Sequence, residues 1–217
     1  RNKTMIKAIL FDFDGVIIDS EPLHTKAEAA TLNSFGISYP KELFHRFKGS
    51  PDEMLFEYVA ANLTTETRSI AKYITRKYEF MDKLLEDITY LPGVVAFLER
   101  VKSKAIQTVL VTSSARSTVE AIDKKLNFLR FFEVTVTAED TVENKPHPEP
   151  YLKALKAIHC DPKEAVVIED STNGVLSGKR AGCQVYALPT TFTKEELLEV
   201  GADRLFENYE EMGNFIF

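Results

Sequence analysis

The chain has 217 residues, 44% hydrophobic and 28% charged, enough to bury a sizeable core as one large domain or as a domain carrying an inserted subdomain. A formal net charge of −6 argues against a broad basic surface for nucleic acid. No apolar run approaches the roughly 18 residues that span a bilayer, and the opening "RNKTM" lacks the apolar core of a signal peptide, so no membrane contact and a cytoplasmic location are expected.

In chain order, "IKAILFD" (6–12) reads as a strand too continuously apolar to have one wet face. The interval 19–88 then holds no convincing strand but three amphipathic helix candidates, 23–35, 52–62 and 66–85, too much chain for a simple crossover. "TYLPGV" (89–94), with Pro92 and Gly93, marks a return to the sheet. Helix candidates at 94–102, 117–124, 149–158, 174–181 and 194–200 alternate with strand candidates at 107–113, 133–139, 165–170, 184–189 and 203–208. This alternation predicts an α/β fold, a doubly wound parallel sheet built from 1–18 and 89–217, with 19–88 as an inserted helical cap. Cys160 and Cys183 lie far apart without metal-ligand spacing and are expected to be reduced thiols.

The polar residues that matter stand at strand ends, where open α/β sheets form their clefts. The first strand ends in Asp12 and Asp14, followed by Gly15, which allows a sharp turn. "VLVTSS" (109–114) finishes in hydroxyl residues, with Thr112 and Ser113 the candidates for donating to phosphate oxygens. "ENKPHPEPY" (143–151) places Lys145 in a Pro-punctuated loop, and "VVIEDSTNG" (166–174) ends a second apolar strand in Glu169 and Asp170. Taken singly, each has an ordinary reading: a solvated loop, a Ser/Thr helix cap, a surface lysine. Together they are more specific, because two acidic pairs at two strand ends repel unless a cation sits between them, and hard oxygen ligands suit Mg²⁺.

The order Asp-x-Asp-Gly, strand-end Thr, Lys-Pro, Glu-Asp-Ser resembles the haloacid dehalogenase superfamily over essentially the whole chain. With the helical insert, "KPHPEPY" and "IEDSTNG", it is similar to the subfamily of β-phosphoglucomutase and sugar-phosphate phosphatases. The resemblance implies Asp12 as nucleophile, Asp14 as general acid/base, and Thr112 and Lys145 holding the phosphoryl group. It also implies an Mg²⁺ site formed by Asp12, the backbone carbonyl of Asp14, Glu169 and Asp170. Such an arrangement makes chemical sense: a carboxylate nucleophile splits a hard displacement in two, and an anionic phosphate must be neutralised before that carboxylate can approach.

In the same resemblance the insert is a cap that closes over the core and carries a substrate loop, "FKGSPDE" (47–53). Lys48 and Gly49 match the Lys-Gly of the mutase loop, His24 a hinge histidine and Lys77 a cap lysine. A helix-surface imidazole and solvated cations are the alternative readings of His24, Lys48 and Lys77. Where the mutase loop has an Arg that grips a second phosphate, this chain has Asp52, which repels one. The expected function is therefore an Mg²⁺-dependent phosphatase for small phosphorylated metabolites, with sugar phosphates foremost, acting as a monomer. β-Phosphoglucomutase is the alternative. A phosphoacceptor signalling domain would be shorter and uncapped, and a non-catalytic binding relative would not need every catalytic position filled.

Overall fold

Strands without a wet face must be covered by helices on both sides, and this requirement organises the chain. The computed structural model describes residues 6–47 and 52–217. It begins with β1 (Ala8–Phe11), followed by α1 (Glu21–Ser34), α2 (Leu43–Phe47), α3 (Asp52–Asn62) and α4 (Ile70–Leu84). Then come α5 (Val94–Ser103), β2 (Gln107–Val111), α6 (Arg116–Leu126), β3 (Val134–Val136), α7 (Glu149–Ala157) and β4 (Ala165–Glu169). The chain ends with α8 (Thr172–Arg180), β5 (Gln184–Ala187), α9 (Lys194–Glu199), β6 (Arg204–Leu205) and α10 (Tyr209–Ile216). Among the described residues the strands form one parallel sheet in the order β3-β2-β1-β4-β5-β6.

Strand parity distributes the core. Ala8 and Leu10 of β1 join Val109, Val167 and Val185 in an apolar cluster with Tyr151, Ala154 and Leu155 of α7 and Val175 of α8. Phe11 points the other way, edge-on to Phe97 of α5 at 6.2 Å between ring centroids. Phe97 in turn meets Tyr209 of α10 at 4.9 Å. From β1 the chain builds β2 and β3 on one flank and then returns with β4 on the other. The order of strands therefore reverses at β1, and the carboxyl ends of β1, β2 and β4 border the crevice that such a reversal opens.

Strand positions agree with the sequence reading, but the strands are shorter, because their last residues leave the ladder to become the polar rim. The third long helix starts at Ile70 rather than 66, since the Thr64 hydroxyl accepts from the Glu66 amide and holds those residues in a turn. Two short helices escaped the periodicity: α2, and α10, whose cap Asn208 accepts from the Glu211 amide.

The chain divides into two compact units, Arg1–Asp19 with Thr89–Phe217, and Ser20–Ile88. Within the second, α4 packs on α1 and α3 around Leu32, Phe56 and Tyr73. Lys77 of α4 is buried there, its ammonium 3.0 Å from Glu28 Oε1 and bonded to Asp52 Oδ1. Burial pulls its pKa down, but the two carboxylates outweigh that and hold it above the usual lysine value. Lys77→Met leaves two carboxylates facing each other in a largely dry site, and since both keep some contact with water, the expected loss is at the lower end of about 3–5 kcal/mol. Urea denaturation checks this, and Lys77→Met in a Glu28→Gln background should cost less than the sum of the two single changes.

Candidate active site

The strand ends bring the site together. Asp12 continues the β1 ladder, its amide donating to the Ile168 carbonyl at 3.0 Å, so its side chain stands at the rim between β1 and β4. The next residues fold back: the Gly15 amide donates to Ile18 O (2.9 Å) and the Ile17 amide to Phe13 O (2.8 Å). Gly15 takes φ +70°, and a β-carbon on it would come within 1.9 Å of Asp170 Oδ2. Glycine is therefore required for space as well as for the turn. Gly174 is equivalent on the other side, where a β-carbon would lie 1.8 Å from the Glu169 carboxylate.

Lys145 is the cationic centre. Its buried ammonium donates to Asp12 Oδ1 (2.5 Å), Glu169 Oε1 (2.7 Å) and the Val111 carbonyl at the end of β2 (3.0 Å). Burial alone would lower its pKa, yet Asp12 and Glu169 hold it well above the usual lysine range. Glu169 also accepts from the Tyr151 hydroxyl (2.8 Å) on Oε1, and on Oε2 from the amides of Asp170 and Ser171 and the Ser171 hydroxyl. Asp170 Oδ2 takes the Thr191 hydroxyl and lies 3.1 Å from Thr190 Oγ1, whose proton goes to the Gly15 carbonyl at 2.7 Å. Asp14 Oδ2 accepts from Ser114 Oγ at 2.9 Å, while the Ser114 amide donates to Thr112 Oγ1 at 2.9 Å.

The carboxylates carry more negative charge than Lys145 balances. Burial, reinforced by Glu169, pushes Asp12 well above the usual carboxylate range and Asp170 up to about 7. Asp12, Glu169 and Asp170 each offer an oxygen, all lying within 4.8 Å of one another, a buried hard-oxygen set that fits a divalent cation. Both oxygens of Glu169 already accept from protein donors, so the oxygens best placed for a cation belong to Asp12 and Asp170.

Of the residues predicted from sequence, Asp12, Asp14, Gly15, Thr112, Lys145, Glu169 and Asp170 converge here, while Ser113 is exposed beside them. His24 and Lys77 belong to the other unit, and Lys48 and Gly49 lie outside the described residues. Ser114, Tyr151, Thr190 and Thr191 were not singled out. The rule that picked Thr112, hydroxyls just after a strand, also fits Ser114 and the "PTTF" (189–192) that follows β5. Only the folded register tells which of them face inward.

A family profile for haloacid dehalogenase-like hydrolases matches residues 9–188. The phosphorylated carbohydrates phosphatase of Thermotoga maritima is 33% identical over 213 residues, covering 94% of this chain and 96% of its own. A crystal structure provisionally assigned as a β-phosphoglucomutase, from Thermotoga maritima, superposes with a TM-score of 0.83 at 32% identity, covering 97% of this chain and 98% of its own. A mutant of CbbY from Rhodobacter sphaeroides, in complex with xylulose-(1,5)bisphosphate, does so at 0.78 and 27% identity over 96% and 97% of the two chains. The chain belongs to the haloacid dehalogenase-like hydrolases. Its enzymatic class is that of the phosphatases among these relatives, hydrolases of phosphate monoesters.

The glycine cradle gives a direct test. Gly174→Ala forces Glu169 or the start of α8 to move by more than an ångström, so turnover should fall on the order of a hundredfold. Phosphate release beside a thermal melt separates that loss from unfolding.

Proposed function

We propose that this protein is an Mg²⁺-dependent phosphatase of small phosphorylated metabolites, sugar phosphates foremost, working through an aspartyl phosphate on Asp12. The observation that carries the reading is the Lys145 ammonium, 2.5 Å from Asp12 Oδ1, with Asp14 two residues further along the same rim. In the first half-reaction an Asp12 oxygen attacks phosphorus and the ester oxygen leaves, taking a proton from Asp14. In the second, Asp14 takes a proton from water as the water oxygen attacks phosphorus, and Asp12 is released. Lys145 moves its donors from carboxylate to phosphoryl oxygen as charge develops there, and Thr112 adds a hydroxyl. Asp12, Asp170 and the backbone carbonyl of Asp14 would hold Mg²⁺, which supplies neutralisation of the phosphate's charge. The helical unit Ser20–Ile88 serves as the substrate-selecting cap.

Hydrolysis rather than mutase transfer is supported by the second unit. Asp52 stands where the mutase loop has an Arg, and it occupies Lys77 together with Glu28, leaving neither charge to grip a second phosphate. The name of the Thermotoga maritima phosphatase supports carbohydrate phosphates as the substrate class. A cytoplasmic monomer completes the reading; among the described residues no helix is long and apolar enough to cross a membrane.

A screen of hexose, pentose and hexitol phosphates with Mg²⁺, reading both free phosphate and isomerised sugar phosphate, tests it. Phosphate release should dominate, EDTA should silence it, and Asp12→Asn should abolish it. Isomerisation of glucose 1-phosphate faster than phosphate release would overturn the phosphatase reading.

Asp14 carries a separate expectation. Because it protonates the leaving alcohol, Asp14→Asn should cost about 100-fold or more on sugar phosphates and markedly less on p-nitrophenyl phosphate, whose leaving group departs unaided. Equal losses on both would remove the role of Asp14 as acid toward the leaving group.

A further inference from the structure

Tyr151 is buried at the start of α7, and the reaction as described does not use it. Its place follows from parity: Glu169 shares a face of β4 with Ala165 and Val167, and that face packs on α7. The Tyr151 hydroxyl donates to Glu169 Oε1 at 2.8 Å, the same oxygen that accepts from Lys145 at 2.7 Å. The Lys145 ammonium also stands 4.9 Å from the centroid of the Tyr151 ring. Burial and the neighbouring Glu169 carboxylate keep the phenol protonated, so toward Glu169 it is a donor only. Tyr151 therefore grips the lysine from two directions, through the carboxylate that holds it and through the face of the ring beneath it.

We propose that Tyr151 is a positioning residue for phosphoryl transfer: by fixing Glu169 Oε1 it sets where the Lys145 ammonium sits against Asp12. Glu169 shows why this matters. Its two oxygens take the Lys145 ammonium, the Tyr151 hydroxyl, two amides and the Ser171 hydroxyl, so within the acidic set it anchors the lysine. On Oε1 the donor beside Lys145 is Tyr151, which holds this oxygen when the ammonium turns toward a phosphoryl oxygen. Without the hydroxyl, Oε1 follows the ammonium while Oε2 stays on its amides and the Ser171 hydroxyl, and the ammonium is held back at the moment it must swing. The inference rests on the proposed phosphatase reading for its kinetic arm, and has a second arm that does not.

Tyr151→Phe keeps the ring and removes the hydroxyl. Its kcat should fall about tenfold to a hundredfold, the worth of a hydrogen bond to a charged group, with KM within about twofold. The loss should be the same on p-nitrophenyl phosphate as on a sugar phosphate, unlike that of Asp14→Asn, because the lysine acts on the phosphoryl group and not on the leaving group. In a Lys145→Met background, Tyr151→Phe should cost nothing further. The arm independent of activity is nuclear magnetic resonance of ¹⁵N-lysine ammonium groups in metal-free protein. The Lys145 signal, identified by its disappearance in Lys145→Met, should shift and exchange faster with water in Tyr151→Phe. Wild-type kcat, a full additional loss in the Lys145→Met background, an unmoved ammonium signal, or a Tyr151→Phe chain that no longer folds would each overturn the positioning role. A wild-type protein that hydrolyses no phosphate monoester would instead overturn the phosphatase reading, and the ammonium signal would still decide the role of Tyr151.

Discussion

A single ammonium sets the terms for the rest of this structure. Lys145 meets β1 through Asp12, β2 through the Val111 carbonyl and β4 through Glu169, so three adjacent strands end on the same charge. Carboxylates gathered at one rim without it would each carry the cost of burial unpaired. Lys145 reaches that point because its loop is tied down from behind: Ser177 of α8 donates to the His147 carbonyl at 2.6 Å, and Arg180 to the Pro146 carbonyl at 2.8 Å. The same helix supplies Ser171, which caps it through the Gly174 amide and also donates to Glu169. α8 thus holds both the cation and the carboxylate that anchors it.

Crowding matters as much as charge. Gly15 and Gly174 are bare where Asp170 and Glu169 press against the backbone, so the carboxylates lie closer to the main chain than any side chain permits. The backbone amides satisfy one edge of Glu169, and the Thr191 hydroxyl one edge of Asp170. Asp12 and Asp170 carry the buried negative charge that Lys145 and these donors leave uncompensated, as their raised pKa values record. Packing a like-charged cluster this tightly costs stability, and the return is a site whose oxygens need little rearrangement to bind a cation.

The fold was largely legible because its signals are local. A continuously apolar strand followed within two residues by acids identifies both the strand and its functional end, and this holds for β1 with Asp12 and for β4 with Glu169 and Asp170. What stayed hidden depends on partners far along the chain. Tyr209 in the last helix donates to the Val16 carbonyl and pins the turn behind Asp14; Thr190 does the same at Gly15. No spacing rule links residues so far apart, and α10, which carries Tyr209, is not among the expected helices. Ser113 and Ser114 make the point at the smallest scale. Adjacent and chemically identical, they differ only in direction, which the turn after β2 decides.

The second unit shows why reading a site one residue at a time misleads. From sequence, Asp52 is a charge reversal at a phosphate grip and Lys77 a separate match to a cap lysine. In the fold the two are partners, and Glu28 on α1 is the third member, so the Lys77 ammonium is already taken by two carboxylates. Placing Arg at position 52 would then do more than restore one positive charge. It would put a second cation beside Lys77, leave Glu28 as the remaining carboxylate of the three, and strain the packing of α1, α3 and α4. Changing the charge at position 52 therefore requires Glu28 and Lys77 to change with it, because the two carboxylates and the ammonium hold one another in place.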